Sequence, residues 1–244
     1  MKTQVILGLL GLLLPVAFSS CQLLYPGEGE ILIEQIPVHK VLSLTVDDVF
    51  DVYIIPDTIN TFYIEAGENQ MKTIKTTYDS VTGQLTIDNE VSFRVAQGYR
   101  RIKATLHADS IRSVEFTVAG GLYFMDTLAV PNFRFASRGD MGNAEVILKS
   151  NSVEIENVDT NGRYIFRGKT NKLTVFNRGL SIVDARDLVA METEIGQYSL
   201  GDCHVKATSK LRYSIYRNGN VYQHGQLQDV QGTIFGTGSF FIIN

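Results

Sequence analysis

Six stretches that alternate apolar and polar side chains begin at Val114, Phe133, Val153, Leu173, Ala190 and Leu211, at steps of 19, 20, 20, 17 and 21 residues. Six residues after each start stand Gly120, Gly139, Asp159, Gly179, Gly196 and Arg217, so four of the six carry glycine at one phase. Alternation with period 2 marks half-buried strands. A near-constant interval of about 20 residues with a bend-forming residue at fixed phase is what one turn of a β-solenoid requires. One turn cannot bury its own apolar face, so the turns must stack and pair their backbones with neighbours above and below. An antiparallel sandwich or meander would also give short strands and turns, and it is the regular spacing that favours the coil.

Residues 36–110 lack this interval but read as strands too. Alternation runs through Val41–Val46, Asp51–Ile55, Thr61–Glu65 and Gln84–Asp88, each near turn formers such as Pro56-Asp57 or Thr82-Gly83. The one short helix expected is Asn69 to Ile74, where Met71 and Ile74 share an i, i+3 face. With 44% hydrophobic residues the chain can bury a real core. The expected fold is all-β: a strand-rich part over 36–110 followed by solenoid turns over 111–244.

The start of the chain carries an address. Lys2 supplies a positive charge, Val5 to Leu14 form an apolar run broken only by Gly8 and Gly11, and Ser19 and Ser20 are small, which reads as a secretory signal over 1–20. The run is too short to span a bilayer comfortably and lacks a charged stop-transfer flank. Phe18-Ser19-Ser20-Cys21 resembles the lipobox of bacterial lipoproteins, in which the cysteine becomes the acylated first residue, although Phe18 replaces the usual aliphatic residue. The other reading of Cys21 is an ordinary thiol beside a cleavage site. Lipidation would leave Cys203 alone, a small buried hydrophobe rather than a nucleophile, with no intrachain disulfide. Residues 21–35, with Pro26, Gly27 and Gly29, read as a tether, and by resemblance to Gram-negative lipoproteins Gln22 after the cysteine favours the outer membrane. Cleavage removes Lys2 alone and leaves 21 Lys and Arg against 26 Asp and Glu, a net −5 that disfavours nucleic acid or an anionic lipid surface as the main partner.

Residues 45–240 as a whole resemble the head GIN domain family of putative auto-transporter adhesins, common in Bacteroidetes lipoproteins. Phe50-Asp51-Val52-Tyr53-Ile54, Ile64-Glu65-Ala66-Gly67-Glu68-Asn69 and Gly83-Gln84-Leu85-Thr86-Ile87 look like its opening strands and turn. Asn218-Gly219-Asn220-Val221-Tyr222, Gly225 and Gly236-Thr237-Gly238 look like its glycine-punctuated ending. The chain departs from the family's repeated S-G-S-G corners at Asp159-Thr160-Asn161-Gly162, Ile195-Gly196-Gln197 and Arg217-Asn218-Gly219. The resemblance implies a right-handed parallel β-helix on an envelope protein and carries over no catalytic residue.

Candidate chemistry is sparse. Asp184-Ala185-Arg186-Asp187 could offer a base and a cation for cleaving an acidic polysaccharide, but no acidic column builds at the same phase of neighbouring turns. His39, His107, His204 and His224 lack zinc spacing, and Asp140 and Asp202 lack a calcium-loop pattern, so no metal or cofactor is expected. Arg138-Gly139-Asp140 spells R-G-D, a short motif easily met by chance. The more promising feature is Tyr213, Tyr216, Arg217, Asn218, Tyr222 and His224, which could stack on sugars or fill a protein interface, or could simply cap the last turns. The expected function is non-enzymatic: a lipid-anchored outer-membrane protein whose solenoid binds a glycan or an envelope partner. A carbohydrate-active enzyme and an envelope assembly protein are the other readings, and the oligomeric state is open.

Overall fold

A computed structural model describes residues 28–90, 101–117, 120–139 and 142–244. The signal, Cys21 and Asp140 lie outside them. The described residues are 68% strand and 2% helix, and the strands wind into a β-solenoid of about 6 turns.

In chain order the elements are β1 (Ile31–Pro37), β2 (Ser43–Val46), β3 (Phe50–Ile55), β4 (Thr61–Gly67), α1 (Glu68–Met71), β5 (Ile74–Asp79) and β6 (Gln84–Asn89). Then follow β7 (Ile102–His107), β8 (Ser113–Phe116), β9 (Gly121–Phe124), β10 (Leu128–Ala129), β11 (Asn132–Arg138), β12 (Asn143–Thr160), β13 (Arg163–Gly179), β14 (Ile182–Ser199), β15 (Cys203–Ile215), β16 (Val221–His224), β17 (Asp229–Ile234) and β18 (Phe240–Ile243). Strands β12, β13 and β14 each bend midway and supply two segments of a turn. We call the first the A segment, Asn143–Lys149 in β12, and the second the B segment, Ser152–Val158.

Both segments stack in parallel register. In the A column Val146 pairs with Phe166, and in the B column Val153 pairs with Leu173 and Leu173 with Thr193. The inward residues of the two columns meet: Phe135 of B packs on Tyr164 and Phe166 of A, with ring centroids 5.4 and 5.6 Å apart. All three rings are fully buried. The hydrophobic term is thus shared down the whole axis, with each turn burying its neighbours.

The register corrects two expectations. Thr193, not Ala190, takes the position of Val153 and Leu173 in its turn, because Ala190 pairs with Thr170 just beyond the A segment. Val114 aligns with Phe135 and not with Phe133. The expected glycine phase is in fact two bends and a strand position. Gly139 (φ 72°) and Gly179 (φ 117°) do turn the chain after the B segment, and Asp159 (φ 56°) takes the same left-handed conformation in the turn between them. Gly196 lies inside the B strand opposite Phe176. Gly120 belongs to a second column, before the A segment, with Gly142, Gly162, Gly201, Gly219 and Gly238, which the sequence reading missed. There the backbones touch: a Cβ on Gly142 would fall on the Gly120 carbonyl, and one on Gly219 on the Gly201 carbonyl.

The division at residue 110 is not a structural boundary. Strands β2 and β3 are themselves parallel rungs, pairing with β8 and β9. Antiparallel strands close the column beyond them: β5 pairs with β6, β4 with β7, and β1 with β4. Residues up to 35 therefore do not all belong to a tether: Ile31–Pro37 pairs along its whole length with β4. The short helix is Glu68–Met71, earlier than expected, with Glu68 in its first turn.

Inside the B column runs a buried amide ladder, one rung per turn. Ser137 Oγ donates to Asn157 Oδ1 (2.9 Å), Asn157 Nδ2 to Asn177 Oδ1 (3.2 Å) and Asn177 Nδ2 to Gln197 Oε1 (3.1 Å). Gln197 Nε2 ends it on the Gly201 carbonyl (2.6 Å). These side chains are fully buried, and each spends its amide on the next rung, as buried polar groups must.

Candidate functional site

The outer face of the B segments carries three adjacent columns over the later turns. Thr174, Glu194, Arg212 and Gln231 form one, in register. Phe176, Gly196, Ser214 and Thr233 form the next, and beside it stands a column of rings. In that ring column Tyr198 and Tyr216 lie nearly parallel (5°) with centroids 4.0 Å apart, and Tyr216 stacks on Phe235 at 4.8 Å. Phe176 closes the column from the other side, 5.2 Å from Tyr198. Because Gly196, Ser214 and Thr233 are small, the middle column is the floor of a groove of about 460 Å³ between the rings and the polar column.

Gly196 is what opens this groove. Its missing side chain leaves space that Phe176 and Tyr198 lean across, their ring atoms 3.6 and 3.3 Å from where a Cβ would stand. Stacking also decides what the rings offer. Tyr198 and Tyr216 have a ring on either side, so their edges and hydroxyls point to solvent, while Phe235 ends the stack; a hydrogen bond with Tyr216 raises the Tyr198 phenol above its ordinary value. The opposite wall offers a carboxylate, a guanidinium and an amide. Arg212 is held there by a forked pair of hydrogen bonds to Asp229 (2.9 and 3.3 Å).

The tyrosine-rich end is split by the fold. Tyr216 stands in the ring column. Tyr213 points inward instead, stacked on Phe240 (4.5 Å) and sheltered where Gly232 has no side chain. Arg217 and Asn218 are exposed at the bend that follows. Tyr222 and His224 lie on the A segments, in a separate stack where His204 faces Tyr222 (4.6 Å) and Tyr222 faces Phe241 (5.1 Å). His204 Nδ1 and His224 Nε2 are 3.2 Å apart. Burial, then the charge of Arg186, lowers both imidazoles below the usual histidine range. Sequence reasoning missed Phe176, Tyr198 and Phe235, and the signal that would have found them is their spacing close to one turn.

The charge cluster at 184–187 does not assemble an acid–base pair. Asp184 is buried and accepts hydrogen bonds from Arg186 Nε (2.6 Å) and Arg163 (2.9 Å). Burial pushes its carboxyl up, but the two arginines outweigh this and hold it below the usual carboxylate range. Asp187 is exposed. In the R-G-D stretch, Arg138 is bound to Glu115 (2.9 Å) and Glu156 (3.3 Å). Among the described residues no three His, Cys, Asp or Glu side chains gather to hold a metal, and no helix is long and apolar enough to cross a membrane. Cys203 is buried in the A column, and burial, with Asp202 and Asp184 nearby, pushes its thiol up to about 12.

A family model described as putative auto-transporter adhesin, head GIN domain, matches residues 42–226. The chain belongs to this family. A Bacteroides fragilis structure described as a putative adhesin has the same fold, with a TM-score of 0.79 at 16% identity over 88% of this chain and 97% of that one. A Parabacteroides distasonis structure described as a putative lipid binding protein gives 0.67 at 14% identity over 89% and 98%. A Parabacteroides merdae putative adhesin gives 0.58 at 13% over 89% and 98%. None of the curated proteins matches the sequence. The family and these neighbours are described by binding and adhesion, which points to a surface or envelope protein.

Proposed function

We propose that this head GIN protein is a lipid-anchored, non-enzymatic binding module of the outer membrane, and that the groove beside Tyr198 and Tyr216 recognises a glycan of the envelope or of a neighbouring cell. The observation that carries the reading is the built groove: a floor of small residues, a wall of stacked rings and a wall of mixed hydrogen-bonding groups, all on paired strands of one rigid coil. Sugar rings present both apolar C–H faces and a rim of hydroxyls, and such a pair of walls answers both. Acylation of Cys21 would fix the base, and the coil would present its flank for several weak contacts at once. The buried Asp184, engaged by two arginines, supports binding over catalysis.

The test is a glycan array probed with the chain and with a Tyr198→Ala/Tyr216→Ala variant of unchanged circular dichroism. Binding of an uncharged glycan lost in the variant supports the reading; uncharged glycans bound equally by both, or turnover of an array polysaccharide, contradict it. Anchoring is checked by mass: a diacyl or triacyl modification on Cys21, absent in Cys21→Ser.

A further inference from the structure

Over much of its outer surface the coil pairs charges from rung to rung. Glu145 faces Arg167, Asp159 faces Arg178, Lys172 faces Glu194 and Arg212 faces Asp229. The bend between the A and B segments breaks this rule. Lys149 and Lys169 occupy the same position of adjacent turns, directly paired in register, and both are exposed. Like charges placed opposite one another in a sheet are destabilising. Neither ammonium has an acidic partner among the described residues, and no aspartate or glutamate lines the groove they share.

That groove has a volume of about 660 Å³ and follows the bends from Pro131 to Thr208. Two residues beyond each lysine stands an asparagine, Asn151 and Asn171, also exposed and without a side-chain hydrogen bond among the described residues. Two successive turns thus present the same pair of donors, an ammonium and an amide, repeated at the rung spacing of about 4.8 Å. Spanning five rungs, and so four rung spacings, the groove is roughly 19 Å long, more than one small ion fills.

We propose that this bend groove is a second binding site, for an acidic polysaccharide, whose carboxylates or sulfates neutralise Lys149 and Lys169 while its hydroxyls meet Asn151 and Asn171. The open, amide-lined middle suits a hydrated sugar chain better than an acyl chain, which would strip water from these polar groups without replacing its hydrogen bonds. The site is separate from the ring-lined groove and does not depend on it.

The test is binding of the full-length chain to polygalacturonate, with neutral dextran and phosphatidylglycerol vesicles as the other arms. Polygalacturonate is expected to bind at low salt, to weaken as salt rises, and to lose about tenfold or more in affinity in Lys149→Ala/Lys169→Ala. The Lys149→Arg/Lys169→Arg variant, which keeps the charge, should bind nearly as the parent does, as should Tyr198→Ala/Tyr216→Ala. Since both lysines point outward and repel each other, the alanine pair should melt no lower than the parent, which separates lost binding from lost fold. Equal affinity in the alanine pair, no binding at low salt, binding of dextran as tight as polygalacturonate, or lysine-dependent binding to the vesicles in place of polygalacturonate would each overturn the proposal.

Discussion

Asn157 shows how individual residues hold this coil. It receives the Ser137 hydroxyl and donates to Asn177, so replacing it leaves the Ser137 hydroxyl without its acceptor, while Asn177 Oδ1 keeps the Ser181 hydroxyl (2.6 Å). Asn157→Ala should therefore destabilise the protein by about 1–3 kcal/mol, read as a fall in the urea midpoint, the cost of one buried unsatisfied group. Cys203 makes a simpler case. With its thiol buried and raised, it should resist Ellman's reagent in the native protein and react once the chain is unfolded in urea. The His204–His224 pair adds a pH dependence. Both imidazoles are lowered on folding, so the unfolded chain takes up protons first as pH falls. Their contribution is complete above about pH 6.5 and is lost as pH drops through the lowered folded values. Denaturant titrations should show stability falling below pH 6.5, and less steeply in His204→Gln/His224→Gln. Much of the residue detail could be read from the sequence only in part. The 20-residue spacing of Ser137, Asn157, Asn177 and Gln197 is visible there, yet alternation alone marks such positions as inward without saying that an amide can bond its own copy one turn away.

Among the elements, the alternating segments were legible because burial on one face imposes period 2 directly on side-chain type. The turn boundaries were less so. Ala190 resembles a strand start in composition, but it lies in a turn whose own strand, β14, holds one residue more between Asp184 and Asp187 than β13 holds between Ile165 and Arg167, an irregularity that shifts the count. The bends gave a mixed signal for a physical reason: the left-handed position after the B segment accepts Asp159 as well as glycine, whereas the close approach before the A segment takes glycine at most turns and, between Gly162 and Gly201, Ser181, whose hydroxyl turns onto Asn177. Gly201→Ala tests that distinction. Its Cβ would meet the carbonyls of Leu180 and Ser181, backbone that cannot swing aside, and the expected cost is about 1–3 kcal/mol in a chemical-unfolding experiment.

At the scale of the whole molecule, the strand-rich beginning and the coil are one object. Strands β2 and β3 continue the stack that antiparallel strands then close, which the sequence did not reveal because 36–110 lacks the turn-length repeat. The candidate site was legible only through Tyr216, since its other rings, Phe176, Tyr198 and Phe235, are brought together by register rather than by proximity in the chain. Everything functional proposed here depends on that register: neighbouring turns must lie side by side with the pairing Thr174 to Glu194. A pair of cysteines tests it directly. Thr174→Cys/Glu194→Cys places the two Cα atoms at rung spacing, within disulfide reach, and both point outward. Mild oxidation of the monomer should close this bond rapidly, while Thr174→Cys/Met191→Cys, the pairing that a turn starting at Ala190 would give, should stay reduced. Closure of the second pair and not the first would contradict the account.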